Sequence, residues 1–297
     1  MYLTGFADEA GSGIDAQIRA TRELGWRHIE SRNVDGTNIH DIPDDVFDTV
    51  CGKLADAGVT INCFGSTIAN WGKSIEAPMT DSLEETRRAI PRMQRLGTRL
   101  VRVMSFAVRK GHGPDDQMVD ERIRRLRELV PMFLDAGITP VHENCMNYGG
   151  MGPAFSLELV DAVPGLKLVF DTGNPVFTPD YAKGEPYPRQ SAWAFYEQVR
   201  DHIAYVHIKD GAFVADNPDG IFPKATFTWP GDGDGDVKRI MVDLLGRGYD
   251  GGISIEPHLA VVFHEEGGDS PEDAKRQSYI EYGRRLEAMI ADICQVL

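Results

Sequence analysis

Short apolar runs rich in valine, isoleucine and aromatic residues alternate along the chain with longer stretches in which apolar positions recur every three or four residues. The short runs, YLTGFAD, RHIESR, TINCFGS, RLVRVMS, ITPVHEN, LKLVFDTGN, IAYVHIKD and GISIEPH, predict strands flanked by turn residues. The longer stretches predict helices, among them Ile14 to Leu24, Asp44 to Ala57, Ser82 to Leu96, Glu121 to Ala136 and Gln277 to Ile293. Gly25, Gly58, Gly97 and Gly137 each follow a helical stretch and precede a strand, the position of a left-handed helix cap.

About eight such strand-helix units fit in the 297 residues, close to the ~250 of an eight-stranded α/β barrel. The expected fold is therefore α/β, a (β/α)8 TIM barrel, with residues 1–297 as one domain. A solenoid shares the period of roughly 30 to 40 residues. A doubly wound open sheet is the main alternative, but the first turn, GFADEAGSG, lacks the GxGxxG spacing of a phosphate-binding turn. Three long connections follow strands, Asn70 to Thr80, Val108 to Val119 and Gly211 to Asp236, and so fall on the face where such barrels build their sites.

Four of the predicted strands end in a potential metal ligand: Glu143 in VHEN, Asp171 in VFDTGN, His207 in VHIKD and Glu256 in ISIEPH. Three carboxylates and one imidazole suit Mn, Mg, Co or Zn better than a thiolate-rich structural site. Side chains alternate along a strand, so Lys209 faces as His207 does and His258 as Glu256 does, which makes both candidates for substrate contact. A rim salt bridge from Lys209 to Asp210 or another carboxylate is the competing reading. His142 points the other way on a regular strand, toward packing, unless the strand end twists it beside the metal.

Composition narrows the class of partner. A net charge of −15 disfavours phosphate backbones and anionic membranes. Cys51, Cys63, Cys145 and Cys294 form no CxxC pair, as expected of reduced thiols in a cytoplasm. The opening MYLTGFADEAGSG has no basic and apolar leader pattern, and no run reaches the ~18 to 20 apolar residues of a membrane span. The expectation is a soluble cytoplasmic protein.

The order of HEN, DTGN, HIKD and IEPH along a βα-repeat chain resembles the xylose isomerase-like TIM-barrel superfamily, over essentially the whole sequence. That superfamily includes sugar isomerases, keto-sugar epimerases, inosose dehydratases and endonucleases of DNA repair. The resemblance implies one divalent metal, usually Mn, on Glu143, Asp171, His207 and Glu256, with the two glutamates exchanging protons with substrate. In ketose 3-epimerases a histidine follows the aspartate by three positions; here Asn174 stands there, able to bind a hydroxyl but not to take a proton. The HIKD run looks more like the inosose dehydratase branch, in which the lysine faces substrate.

The leading expectation is a metal-dependent isomerase or epimerase of an unphosphorylated sugar or keto-sugar, working by proton abstraction next to a carbonyl through an enediolate, with Glu143 and Glu256 as acid and base. The alternative is a lyase on keto-sugars or keto-glycosides, by inosose-type dehydration or β-elimination of a 3-keto-glycoside or C-glycoside. His142 then becomes a general base or acid, and relatives of that kind work with a small partner subunit. Barrels of this class often form homo-oligomers. The acidic charge and the few histidines disfavour a three-zinc endonuclease, and the intact ligand set disfavours a non-catalytic sugar-binding protein.

Other features read more blandly. Asp8 and Glu9 suit substrate contact or a helix cap. Trp71 suits stacking on a sugar or packing. Arg102, Arg109 and Lys110, near the predicted end of the fourth strand, suit an anion site or, the favoured reading, a solvated charge cluster. His28, His40, His112, His202 and His264 have no matching partner. GDGDGD, residues 231–236, lacks the glycine and glutamate positions of an EF-hand and reads as a shaping loop before a helix. No GxSxG or GxxxxGK[ST] motif is present.

Overall fold

A computed structural model describes residues 1–217, 222–259 and 272–297. Eight strands form one sheet: β1 Tyr2–Gly5, β2 His28–Ser31, β3 Thr60–Phe64, β4 Leu100–Val103, β5 Thr139–Glu143, β6 Lys167–Asp171, β7 Ile203–Ile208 and β8 Gly252–Ile255. Their order is β1-β8-β7-β6-β5-β4-β3-β2, and every pairing is parallel. The sheet curls into a barrel. Among the described residues, one parallel bridge from Phe6 to Glu30 is the backbone pairing that brings β1 to β2.

Helices α1 Ile14–Glu23, α2 Asp44–Ala57, α3 Thr80–Leu96, α4 Val119–Asp135, α5 Pro153–Ala162, α6 Ala192–Val199, α7 Val237–Gly246 and α8 Glu272–Val296 lie between and after the strands. The predicted glycine stops hold: Gly58 and Gly97 cap α2 and α3 at φ 63° and 71°, and Gly25 and Gly137 also have positive φ. A Cβ is disfavoured in that region, which is why glycine ends these helices.

Alternation along the strands separates two apolar layers. Val101, Val103, Phe170, Val206 and Ile253 join the helices in one large buried cluster. Burying each such side chain contributes roughly 1.5–3 kcal/mol. Val141, Val169 and Tyr205 point the opposite way and join Cys63 in a small separate cluster. Two positions further along the same strands come Glu143, Asp171 and His207, so the small cluster floors the barrel beneath them.

The long connections differ from plain loops in one place. Gly211–Ala215 and Lys224–Phe227 pair as an antiparallel hairpin within the Gly211 to Asp236 connection. Residues 70–79 and 108–118 connect β3 to α3 and β4 to α4 as expected, and a further long connection, 178–191, precedes α6. His264 lies outside the described residues. Among the described residues no helix is long and apolar enough to cross a membrane.

Candidate active site

Glu143, Asp171, His207 and Glu256 converge at the C-terminal ends of β5 to β8, all buried, with one potential ligand atom from each lying within 4.8 Å of the others. Glu143 Oε2, Asp171 Oδ2 and His207 Nδ1 are buried without a hydrogen bond of good geometry. Clustered donors of this kind suit a divalent cation, and the oxygen-rich set with one imidazole fits Mn, Mg, Co or Zn. Glu30 orients the histidine: its carboxylate lies 3.0 Å from His207 Nε2, leaving Nδ1 on the side of Glu143, 3.5 Å from Oε1. Such outer contacts set which imidazole nitrogen is offered to a metal.

Basic side chains balance the buried carboxylates. Arg102 Nη1 lies 3.1 Å from Glu143 Oε2. Lys209 Nζ lies 3.0 Å from both Asp171 Oδ2 and Glu256 Oε2. Arg32 Nη1 donates to Glu256 Oε1 at 3.0 Å and also pairs with Asp8 and Glu9. Burial penalises every charge here, but Arg102 and His207 outweigh it and pull Glu143 down to about 2. Lys209, His258 and Arg32 likewise hold Glu256 well below the usual carboxylate range against burial. For Asp171 burial wins over Lys209, and its pKa rises to about 7. His207 is depressed by burial but carried up to about 10 by Glu30 and Glu143.

Asn174 donates from Nδ2 to Glu143 Oε1 at 3.2 Å, and its backbone N–H donates to Asp171 Oδ1 at 2.7 Å. It therefore positions two carboxylates while also lining the cavity. Lys209 is no rim residue bound to Asp210, since its ammonium sits inside the carboxylate ring. Asp210 instead accepts backbone N–H bonds from Gly211, Gly231, Gly233 and Gly235. The GDGDGD segment thus wraps one buried carboxylate and leads into α7, as the shaping-loop reading expects.

His258 has φ 53°, an uncommon backbone conformation for a residue with a side chain. Its N–H donates to Glu9 Oε2 at 2.8 Å, and its ring nitrogens lie 3.1 Å from Glu9 Oε1 and 3.5 Å from Glu256 Oε1. His142 is turned away from the ligand cluster, with Nε2 2.9 Å from Ser105 Oγ. Burial depresses its pKa to about 4, so it is neutral at physiological pH.

The cavity over the cluster has a volume of about 930 Å³; Arg32, Arg102, Asn174, Lys209 and His258 line it together with Glu143 and Glu256, and Trp71 and Phe227 add aromatic walls. Asp8 and Glu9 are neither cavity-lining residues nor the cap of α1, whose N-cap is Gly13; they anchor Arg32 and His258. Arg102 is buried at the centre, while Arg109 is drawn off to Glu76 and Asp116, so the solvated cluster expected on β4 does not form. Sequence reasoning passed over Glu30 and Arg32. The signal was present in RHIESR, where alternation inside an apolar strand puts both on the lumen face.

The buried carboxylates and one imidazole at the mouth of a TIM barrel form a group that could hold a metal ion. The chain belongs to the xylose isomerase-like TIM barrel family, whose model matches residues 18–280. It is similar in structure to a xylose isomerase-like TIM barrel protein from Mycobacterium smegmatis in complex with magnesium, with 18% identity, TM-score 0.67 and coverage of 98% of this chain and 97% of the other. The probable 3-DHS dehydratase AsbF of Bacillus anthracis, involved in petrobactin synthesis, superposes with TM-score 0.70 at 17% identity, covering 97% and 99%. A D-tagatose 3-epimerase-like protein gives TM-score 0.69 at 17% identity, covering 99% of both chains. Sequence comparison with curated proteins gives no match.

Proposed function

We propose that this protein is a divalent-metal-dependent isomerase or epimerase of an unphosphorylated sugar or keto-sugar. The observation that carries the reading is the buried convergence of Glu143, Asp171, His207 and Glu256 within 4.8 Å beneath an open cavity. When bound, the cation supplies a Lewis acid that polarises a carbonyl and stabilises the charge left by a departing neighbouring proton. The epimerase-like and dehydratase names among the structural neighbours support chemistry of this type.

Glu143 and Glu256 carry the proton transfers in this reading. They reach the cluster from β5 and β8, three places apart in the sheet, so they approach a substrate from different directions. Arg102 and Arg32 keep them ionised, the form that can accept a proton, while lowering their basicity. Lys209 and His258 contact substrate hydroxyls or an oxyanion, and Asn174 both orients Glu143 and offers an amide to substrate. His142, bound to Ser105 behind the strand, supports β5 rather than the chemistry.

A second reading, β-elimination from a keto-sugar or keto-glycoside, is favoured by a further chamber beside the first, with space for a leaving group. Metal content by elemental mass spectrometry, before and after chelation, tests the site in wild type, Asp171→Asn and Glu256→Gln. Near-stoichiometric metal that falls in both variants supports it, and no metal even after reconstitution overturns it. Deuterium uptake from D2O at the substrate α-carbon with no group lost favours isomerisation; loss of water or an aglycone favours elimination.

A further inference from the structure

A second chamber of about 810 Å³ adjoins the 930 Å³ cavity, and Trp71, Met146, Phe177 and Pro223 line both. Sites of roughly 300–1,000 Å³ hold drug-sized ligands, so the inner cavity alone exceeds the needs of one sugar ring. The outer chamber adds Val108, Pro179 and Tyr181 to the shared apolar residues. Aromatic contacts run from the inner site toward it: His258 meets Phe227 at 4.9 Å between ring centroids, and Phe227 meets Phe177 at 5.5 Å.

Arg109, His112 and Arg189 at this chamber are already engaged, His112 with Asp116. Arg109 pairs with Glu76 and Asp116, and Arg189 pairs with Asp216 and lies over the Phe213 ring. What the chamber offers is therefore flat apolar surface with polar edges, which suits an aromatic group better than an anion.

We infer that the substrate carries an aromatic substituent, seated in this outer chamber while its carbonyl-bearing ring occupies the inner cavity. The inference rests on the proposed carbonyl-sugar reading for the inner ring alone. The aromatic subsite itself needs no metal, because none of its walls is a ligand.

The experiment is calorimetric titration of the full chain with phenyl β-D-glucopyranoside and methyl β-D-glucopyranoside, in metal-reconstituted and chelated protein. Burial of the phenyl ring predicts a preference on the order of tenfold to a hundredfold over methyl. Val108→Trp, which intrudes on the outer chamber, and Tyr181→Ala, which removes one of its aromatic walls, should each weaken the preference without touching the inner site. A preference that persists in chelated protein supports the subsite even where metal analysis defeats the carbonyl chemistry. Equal affinity for the two glycosides, failure of the phenyl glycoside to bind, or a preference undiminished in both folded Val108→Trp and Tyr181→Ala protein overturns the inference.

Discussion

The ammonium of Lys209 stands 3.0 Å from Asp171 Oδ2, inside the set of groups suited to a cation. It also stands 3.0 Å from Glu256 Oε2, so one flexible side chain bridges two of the proposed metal ligands. Burial opposes the lysine charge, but Asp171 and Glu256 outweigh it and raise its pKa.

Lys209→Met should therefore have opposite effects on two quantities. Removing one partner from a buried ion-pair network typically costs about 3–5 kcal/mol, so the metal-free protein should unfold at lower urea. Divalent metal should bind more tightly, because Asp171 and Glu256 lose a competing cation. Chelator competition with Mn measures the second effect, and weaker binding in the variant would show that Lys209 assists the metal.

His142 should leave a signature in the pH dependence of stability. Its folded pKa of about 4 lies below the ordinary 6.5 because burial disfavours the charged ring. Between these values the unfolded chain binds the extra proton, so the contribution is full above pH ~6.5 and is lost as pH falls toward ~4, a span on the order of 3 kcal/mol. Urea unfolding at several pH values should show a shallower acid-side slope for His142→Gln than for wild type. Identical slopes would mean the ring is not held neutral.

Gly149 packs against that same ring. A Cβ there would come within 2.3 Å of His142 Cε1. Gly149→Ala should cost about 1–3 kcal/mol through overpacking. The cost should shrink in a Gly149→Ala, His142→Ala double variant, which thermal unfolding can check as a double-mutant cycle.

The cysteines should differ sharply in reactivity. Cys294 is exposed, whereas Cys63 and Cys145 are buried, with burial raising both thiols. Iodoacetamide at pH 8 should label Cys294 first and leave Cys63 and Cys145 unmodified until the protein unfolds. Peptide mass mapping reads the order directly, and early labelling of Cys145 would place it in freer contact with solvent than its packing indicates.

The wrapped carboxylate offers one more test. Asp210 collects N–H groups from four glycines, and bonds to a charged group contribute about 1.5–3 kcal/mol each. Asp210→Ala should lower stability and speed hydrogen exchange at residues 231–236. Unchanged exchange there would show that the loop holds its shape without the carboxylate.

The barrel and the convergence of its buried carboxylates and imidazole were legible because both follow from strand periodicity: βα repetition set the architecture, and position on the strand put Glu143, Asp171, His207 and Glu256 at one end. The inward arginines were passed over, although alternation puts Arg32 on the lumen face. Arg102 in LVRV and Arg32 after RHIES look like surface charges until a carboxylate from a distant strand supplies the partner that makes burial tolerable. Helix α5 was passed over because PAFSLELVDA is apolar on several faces and shows little periodicity. The hairpin of Gly211–Ala215 with Lys224–Phe227 was missed although the sequence Asn217-Pro218-Asp219-Gly220 is a turn signal, because the runs on either side of it are short and weakly alternating.

The closure between β1 and β2 carries a final consequence. The other seven neighbouring pairs in the sheet have runs of backbone partners, whereas Phe6 and Glu30 supply a single bridge. Across this seam Arg32, just beyond β2, grips Asp8 and Glu9 after β1 and Glu256 after β8. The barrel is thus latched by charge at its thinnest join, and the latch is made from groups at the cavity. Whatever alters the charge of that cavity, a cation arriving or a carboxylate taking a proton, also changes how firmly the first strand is held to the second.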